Sequence, residues 1–467
     1  MGLLIGVGAC SGAIAVQFEH DGGDGAAADG SSGGARDRDA GGHAGASAGG
    51  ASTGSGGAGG AHGGGMGGGA GKDMDATEET GGAGAGGSSA GRDAATMNDS
   101  TPGDASGDAN GATGGAGSDA ADSGTKPDCP GPHGGRDVIG NIRVPRDYST
   151  IQAAIEGAAD GSTVSVAAGT YFENIDFKGK AIRLASESGP ELTIIDGSSS
   201  GTVVYFQTHE GLGSVLQGFT IRHGSAPFGA GVSLRSASPT IIGNVFDSNQ
   251  QGGGGFGAAI GGNNASPVID SNLFRHNSCD TQFVSGVVSF VNNSSPRIVN
   301  NAFIDNPCRG INLGLPVGNA PEVSNNTFVG NDTGIYVDSR VSTEMLSFRN
   351  NIIVGGSVGY EIVFGDNNPH PVWTHNLVFG NTTNFKGVTD PTGTDGNLAV
   401  DPKLTTSPDR YHLTVGSPGI DVGTNSGQPL PNLDVDGRKR ILDGNHDGVS
   451  VVDLGATEFV ANDGCGR

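Results

Sequence analysis

Large apolar residues recur along the middle of this chain at a nearly fixed interval. Ile221, Phe246, Phe274, Phe303, Phe328, Ile353 and Val378 follow one another at steps of 25, 28, 29, 25, 25 and 25 residues. Six of them sit in copies of one short pattern: SPTIIGNVFDSN (238–249), SPVIDSNLFRHN (266–277), SPRIVNNAFIDN (295–306), APEVSNNTFVGN (320–331), EMLSFRNNIIVGG (344–356) and HPVWTHNLVFGN (370–381). VLQGFTIRHG (215–224) is an earlier, divergent copy. A second apolar series lies between the copies: Val232/Leu234, Ile260, Val288/Phe290, Ile311/Leu313, Ile335/Val337 and Ile362/Phe364. These alternate with polar residues, the mark of short strands with one buried face. A third series, Ile241, Ile269, Ile298, Val323, Phe348 and Trp373, precedes the asparagine of each copy. Three short strands per repeat of about 25 residues, with no helical period, predict one coil of an all-β solenoid. Coils stacked about 4.8 Å apart place each series residue over its counterpart.

That stacking gives the polar positions a meaning. Asn244, Asn272, Asn301, Asn326, Asn351 and Asn376 predict one column, and Asn249, Asn277, Asn306, Asn331 and Asn381 a second. Asparagine tolerates the left-handed backbone of a sharp bend, and stacked amides hydrogen-bond along a column. Contact with a sugar is the functional alternative. Cys279 and Cys308 each follow their phenylalanine by five residues. Equal register on adjacent coils puts them within disulfide range, given an oxidising compartment. Cys129 and Cys465 flank the folded part and are left unpaired.

An open solenoid exposes core and strand edges at both ends. At the N-terminal end Ser149-Thr150-Ile151-Gln152 reads as a capping box, with Ser149 at N-cap and Gln152 at N3. Ile151, Ala154, Ile155 and Ala158 then make one apolar face, which predicts a capping helix near 149–159. Asp160-Gly161 ends it, and Val164 and Val166 begin the first strand.

The stretch VPRDYSTIQAAIEGAADGSTVSVAAGTYFENIDFKGKAIRLAS (144–186) resembles the opening of pectin lyase-like β-helix proteins, including pectin methylesterases. With the repeats, the resemblance covers residues 144 to about 381. It implies a right-handed single-stranded parallel β-helix over 129–400. The resemblance says little about activity, because one fold hosts many chemistries. In that family the Gly169-Thr170-Tyr171-Phe172-Glu173 element is mainly structural. The paired catalytic aspartates of the methylesterases, the polygalacturonase set and the Asp-Pro-His of alginate epimerases have no match; Asn368-Pro369-His370 is a partial echo. The segment 401–467, with DPKL, YHLTVGSPGIDVGTN, DVDGRKR and DGNHDGVSVVDLGATEF, resembles the ending of choice-of-anchor Q proteins. That implies surface association, and physically a cap over the last coil.

Composition divides the chain. Of its 89 glycines, 40 fall in the first 125 residues, where low hydrophobicity cannot offset the chain entropy lost on folding. Residues 11–128 therefore read as a disordered Gly/Ala/Ser/Asp tether with a reach of roughly 60 Å. The net charge is −24. Residues 11–125 hold 16 acids and 4 bases, so half of the acidity belongs to this tail, and nucleic acid is disfavoured as a partner. No run of about twenty apolar residues exists to span a membrane. Val7-Gly8-Ala9-Cys10 resembles a bacterial lipobox, which makes residues 1–10 a lipoprotein signal remnant and Cys10 the lipidated residue. The alternative is a short apolar start with no role. The lipobox reading predicts an outer-membrane lipoprotein, held to the membrane through a lipid anchor, monomeric and extracellular.

Candidate chemistry lies one and two positions after the large apolar series. Arg222, Asp247 and Arg275 fall at the first, and His223, Ser248, His276 and Asp305 at the second. Cleavage of a uronate polymer by β-elimination needs a cation for the carboxylate and a base for the C5 proton. Arg222, His223, Asp247, Arg275 and His276 are the candidate catalytic set, and plain cross-strand charge pairs are the structural alternative. Hydrolysis needs two carboxylates roughly 5 to 9.5 Å apart, and Asp247 and Asp305 differ in register. Ser233, Arg235, Asn312, Tyr336 and Asp338 face outward from the second series. Arg235, Asn312, Tyr336 and Asp338 are candidate sugar contacts, or else a solvated strand face. Asp443, Asn445 and Asp447, with Gly448 at the sixth position, match the first half of an EF-hand-type calcium loop. Asp453 is the remaining candidate ligand, at position 11 instead of 12. The expectation is a polysaccharide- or partner-binding surface protein. A pectate lyase-like enzyme is the second reading and a structural or adhesin-like coat protein the third.

Overall fold

The computed structural model describes residues 141–280, 285–314, 319–339, 346–364 and 371–461. Cys10, the tether 11–128, Cys129 and Cys465 lie outside the described residues. Three parallel sheets run the length of a solenoid. Sheet 1 has ten strands, from Ile142–Val144 to Val372–Thr374. Sheet 2 has nine, from Gly169–Tyr171 to Leu377–Phe379. Sheet 3 has nine, from Ile175–Asp176 to Thr383–Lys386. Each coil visits the sheets in turn, as in Thr240–Ile242, Val245–Asp247 and Ile260–Asn263. A two-stranded sheet, Ser225–Phe228 with Gln250–Phe256, projects between sheets 2 and 3.

The apolar series become interior columns. Phe246, Phe274, Phe303 and Phe328 are in register and fully buried. Their rings stack at centroid distances of 4.9, 4.6 and 4.6 Å. Ile241, Ile269, Ile298, Val323, Phe348 and Trp373 form the column of sheet 1. In sheet 3 the last described pair differs from expectation. Tyr360 lies opposite Ile335 and Ile362 opposite Val337, so Phe364 falls two residues further on. A strand repeats its faces every two residues, so alternation alone does not fix that register.

The first asparagine column is continuous: the Oδ1 of Asn272, Asn301, Asn326, Asn351 and Asn376 each accepts from the Nδ2 of the asparagine one coil before. Asn397 extends it. These asparagines are not the left-handed residues of the bend. That conformation belongs to the residue before each: Gly243, Ser271, Asn300, Asn325, Asn350 and His375, with φ between 51° and 64°. The column asparagine instead turns inward and satisfies the backbone groups that the bend frees. In the second column Asn249, Asn277, Asn306 and Asn331 connect. Gly356 then interrupts, and Asn381 accepts from its backbone N–H. A disulfide joins Cys279 to Cys308 on adjacent coils, with Cα atoms 5.8 Å apart.

The helix α1 (Ile151–Gly157) closes the N-terminal end and buries Ile151, Ala154 and Ile155. Its N-cap is Thr150, whose side chain accepts from Ala153 N–H at 3.2 Å, not Ser149. Gln152 is no capping-box partner, because its side chain reaches Asp176 and Glu156. The role falls to Glu173, which accepts from Ile151 and Gln152 N–H, both at 2.9 Å. At the other end Lys180 Nζ donates to the carbonyls of Ile155, Glu156 and Ala158, a cation on the orphan C-terminal oxygens. A strand, Ile142–Val144, precedes the helix and pairs with Thr163–Val166, so Val164 belongs to the second strand of sheet 1.

The C-terminal segment does not sit over the last coil alone. It lies lengthwise against the outside of the solenoid. Tyr411, Val435 and Ala456 pack on the outward Val245, Leu273, Ala302, Ile304 and Val329 of sheet 2. Leu413, Ile420 and Leu454 pack on Ile352 and Leu377. The left-handed asparagines hold it by the polar side: Asn300 donates to Leu433 O, Asn325 to Asp453 O and Asn350 to Thr424 O.

Candidate functional site

In sheet 2 the residue that follows the large apolar one faces outward. In register along the solenoid these positions carry Asp196, Arg222, Asp247, Arg275 and then Ile304. The result is one arrangement made twice. Arg222 Nε donates to Asp196 at 2.8 Å, and His223 Nδ1 lies 3.0 Å from the same carboxylate. Arg275 Nε donates to Asp247 at 2.9 Å, and His276 Nδ1 lies 3.2 Å away. Each aspartate is therefore clasped by an Arg-His pair from the following coil. The five candidate catalytic residues come together, with Asp196 as an added member. Stepping the ladder back from Ile221 to Ile195 reaches it, but the coil around Asp196 lacks the asparagine pattern.

The two histidines occupy left-handed bends, with φ of 55° and 56°, a conformation histidine adopts more readily than most residues. Their backbone thus aims both rings back at the aspartates. Asp196 is almost fully buried behind Arg222 and His223, which are 33% and 44% exposed. Burial pushes the Asp196 carboxyl up. The Ser198 N–H, Arg222 and His223 outweigh it and hold the group below the usual range. At Asp247 burial is likewise outweighed, by the Ser248 hydroxyl, Arg275 and His276. Both aspartates are thus anions at neutral pH. Each arginine spends Nε on its aspartate and keeps its terminal amino groups for a further acceptor. The C-terminal segment ends this track: Arg410 Nη1 binds Asp305 at 2.7 Å, at the register of His276.

The proposed sugar contacts on sheet 3 do not make an open face. Asn312 and Tyr336 are paired neighbours, but they are 2% and 5% exposed. The Arg309 guanidinium covers the Tyr336 ring at 3.9 Å. Ser233 is also buried. The reason is the close return of the preceding backbone: a Cβ on Gly229 would lie 2.7 Å from Ser233 Cα, and one on Gly286 3.0 Å from Asn312 Cβ. Arg235 and Asp338 share a column but stand four strands apart, roughly 19 Å. Arg235 lies over the Phe228 ring instead.

Asp443, Asn445 and Asp447 fold into a tight loop whose side-chain oxygens accept the Asp447, Gly448 and Val449 N–H groups. The Leu442–Val451 bridge closes that loop and leaves Asp453 beyond it. Asp453 accepts from Asp421 and Phe459 N–H and belongs to a buried cluster with Glu458. Among the described residues no three His, Cys, Asp or Glu side chains converge as an ion's ligands would. Of the four residues read from the sequence as calcium ligands, Asp443, Asn445 and Asp447 share this loop and Asp453 stands outside it.

A solenoid of parallel coils with stacked interior columns and a helical N-terminal plug defines a parallel β-helix protein. The family described as right handed beta helix region matches residues 168–372, which fixes the hand of the coil. No curated protein matches the chain. The C-terminal segment lies beyond the matched stretch.

Proposed function

We propose that this β-helix, built on the pectin lyase-like plan, binds an acidic polysaccharide along the Arg222–Arg275 track. One observation carries the reading: two arginines two coils apart, each oriented by a partly buried aspartate, present free guanidinium edges on an uncovered part of sheet 2. Planar forks of this kind suit carboxylates. The spacing, roughly 10 Å, fits anionic groups recurring along a chain. The lipobox at Cys10 and the tail 11–128 support a site held at a bacterial surface by a lipid anchor. Affinity electrophoresis in gels containing pectate, alginate or neutral dextran tests the reading. Retardation by the uronates alone, lost in the Arg222→Ala, Arg275→Ala double variant, is the expected result. Equal migration of wild type and variant in pectate and alginate would sink it.

A second reading, a uronate lyase, draws on the His223–Asp196 contact. A histidine held through Nδ1 keeps Nε2 for a substrate proton, and Arg222 would neutralise the carboxylate. Incubation with pectate or alginate decides between the two. Rising ultraviolet absorbance from an unsaturated product, abolished in His223→Ala, favours the lyase, whereas binding without product leaves the binding protein.

A further inference from the structure

We infer that the cleft between sheet 1 and the C-terminal segment is a binding site for a small sugar acid. It lies round the asparagine corner from the Arg222–Arg275 track, and it goes beyond the polymer reading. Its volume is about 380 Å³, within the usual range for a small-molecule site. Outward residues of sheet 1 make the floor: Arg183, Gln217, Ile242, Asp270 and Arg297. Residues 431–435 and Gly437 of the C-terminal segment make the wall.

The charges are unequal. Arg297 pairs with Glu322 at 2.9 Å, and the same carboxylate also binds Arg349 at 2.7 Å. Asp434, on the wall, spends its oxygens on the Asp436, Arg438 and Glu458 N–H groups and contributes shape alone. Among the described residues Arg183 has no carboxylate partner. Its Nη2 donates to Gln217, and its Nε is buried without an acceptor. A guanidinium left so incompletely satisfied at the edge of a cleft favours an anionic ligand, because a donor on a charged group is costly to leave unpaired. Asp270 Oδ1 accepts from Ser271 Oγ and Asn300 Nδ2, while Oδ2 takes no protein donor and serves a hydroxyl. Burial pushes the Asp270 carboxyl up. Gln217 Nε2 offers a donor, and Ile242 gives the apolar patch on which a sugar ring rests. A carboxylate on Arg183, hydroxyls on Gln217 and Asp270 and a ring on Ile242 together specify a hydroxylated carboxylic acid.

Titration calorimetry of the full chain with galacturonate, galactose and acetate tests the assignment. Galacturonate is expected to bind, with galactose and acetate each weaker by at least ~tenfold. Arg183→Ala should weaken galacturonate by a similar factor. Ile242→Trp fills the floor without touching a charge and should abolish binding; melting curves show that each variant is folded. Arg183→Ala and Ile242→Trp should migrate like wild type in pectate gels, which separates this site from the polymer track. No heat with galacturonate on wild type, acetate as good a ligand as galacturonate, or full affinity in folded Arg183→Ala or Ile242→Trp would overturn the assignment.

Discussion

Arg440 and Asn300 are 140 residues apart in the chain and meet in a buried contact, where Nε and Nη2 of the arginine donate to the asparagine Oδ1 at 3.1 and 2.7 Å. Asn300 thereby joins three things. Its φ of 55° makes the corner of the coil, its Nδ2 holds Asp270 and Leu433 O, and its Oδ1 holds the arginine that also binds Glu458.

Removing that amide takes one acceptor from a buried guanidinium that keeps Glu458 and Gly455 O, so Asn300→Ala should destabilise the docked segment by about 1.5–3 kcal/mol. Asn300→Gly separates the two roles. It loses the same hydrogen bonds but accepts the left-handed backbone, and should be about 1 kcal/mol less damaging than alanine. Denaturant unfolding gives both values. Limited proteolysis should show cleavage within 401–461 first. Equal damage by the two variants would mean that the backbone of the corner is unstrained.

Burial pushes the Asp453 carboxyl up to about 8, and the neighbouring Glu458 charge adds to it. Glu458 is raised as well, first by burial, although Arg440 opposes the shift. A raised folded-state value means that the folded chain keeps a proton the unfolded chain gives up. The associated stability is complete below the ordinary carboxyl range, about pH 4, and is lost as pH rises through the folded value. The docked C-terminal segment should therefore loosen from about pH 5 toward pH 9. Below about pH 4 the loss reverses in origin, as Asp196 and Asp247, whose values are lowered, take up protons. Asp453→Asn should lower stability throughout, since one of its two acceptor oxygens is gone, yet flatten the slope between pH 5 and 9. Melting curves across that range check it, and an unchanged slope would place the titrating group elsewhere.

The solenoid was legible because a stacked coil repeats the same side chain at the same register, so Phe246, Phe274 and Phe303 announce their own contacts. What joins unlike segments left no period to read. Glu173 and Lys180 cap a helix more than twenty residues away; Glu173 stands in the Gly169–Glu173 element, but nothing there points to the helix, and Lys180 belongs to no pattern. The docking of the C-terminal segment did leave a signal in the doublets at 300–301, 325–326 and 350–351. The second asparagine of each doublet fills the interior column, and the first serves the segment outside. Read as a single column, the doublet looks like one asparagine with a neighbour. The Arg–Asp–His track was visible as register, while the burial of Tyr336 was not, since it depends on Arg309 and on the close return of the preceding backbone. The sheet 1 cleft needs a floor from the repeats and a wall from the DVDGRKR stretch, and nothing in either pattern says that the two meet.

Gly262 and Phe290 form a complementary pair in the core of sheet 3. They are paired residues on adjacent coils, and a Cβ on Gly262 would lie 2.1 Å from Phe290 Cε1. The ring occupies the space that a side chain would fill in the neighbouring coil. Gly262→Ala alone should cost about 1–3 kcal/mol through overpacking, and Phe290→Ala alone about 3–5 kcal/mol through the cavity it leaves. The double variant should be more stable than the sum of the two losses, because each change relieves the other. Strict additivity in a denaturant series would show that the ring moves aside without cost.

Asn326 is the middle of the continuous amide column. Its Oδ1 accepts the Asn301 N–H and Nδ2, and its Nδ2 donates to Ile298 O, Ser324 O and Asn351. Asn326→Ala leaves several buried groups unpaired at about 1–3 kcal/mol each, so a loss above about 3 kcal/mol is expected. Asn326→Asp should be no better, because its second oxygen faces carbonyls where the amide donated. The second column offers the opposite test at Gly356, where asparagine is missing. Restoring the repeat there should not stabilise the fold: a Cβ on Gly356 would sit 2.2 Å from Asn331 O. Gly356→Asn is therefore expected to lower the melting temperature, although it completes the sequence pattern. A gain would show that the backbone of that coil can withdraw, and that the gap in the column reflects neither packing nor strain.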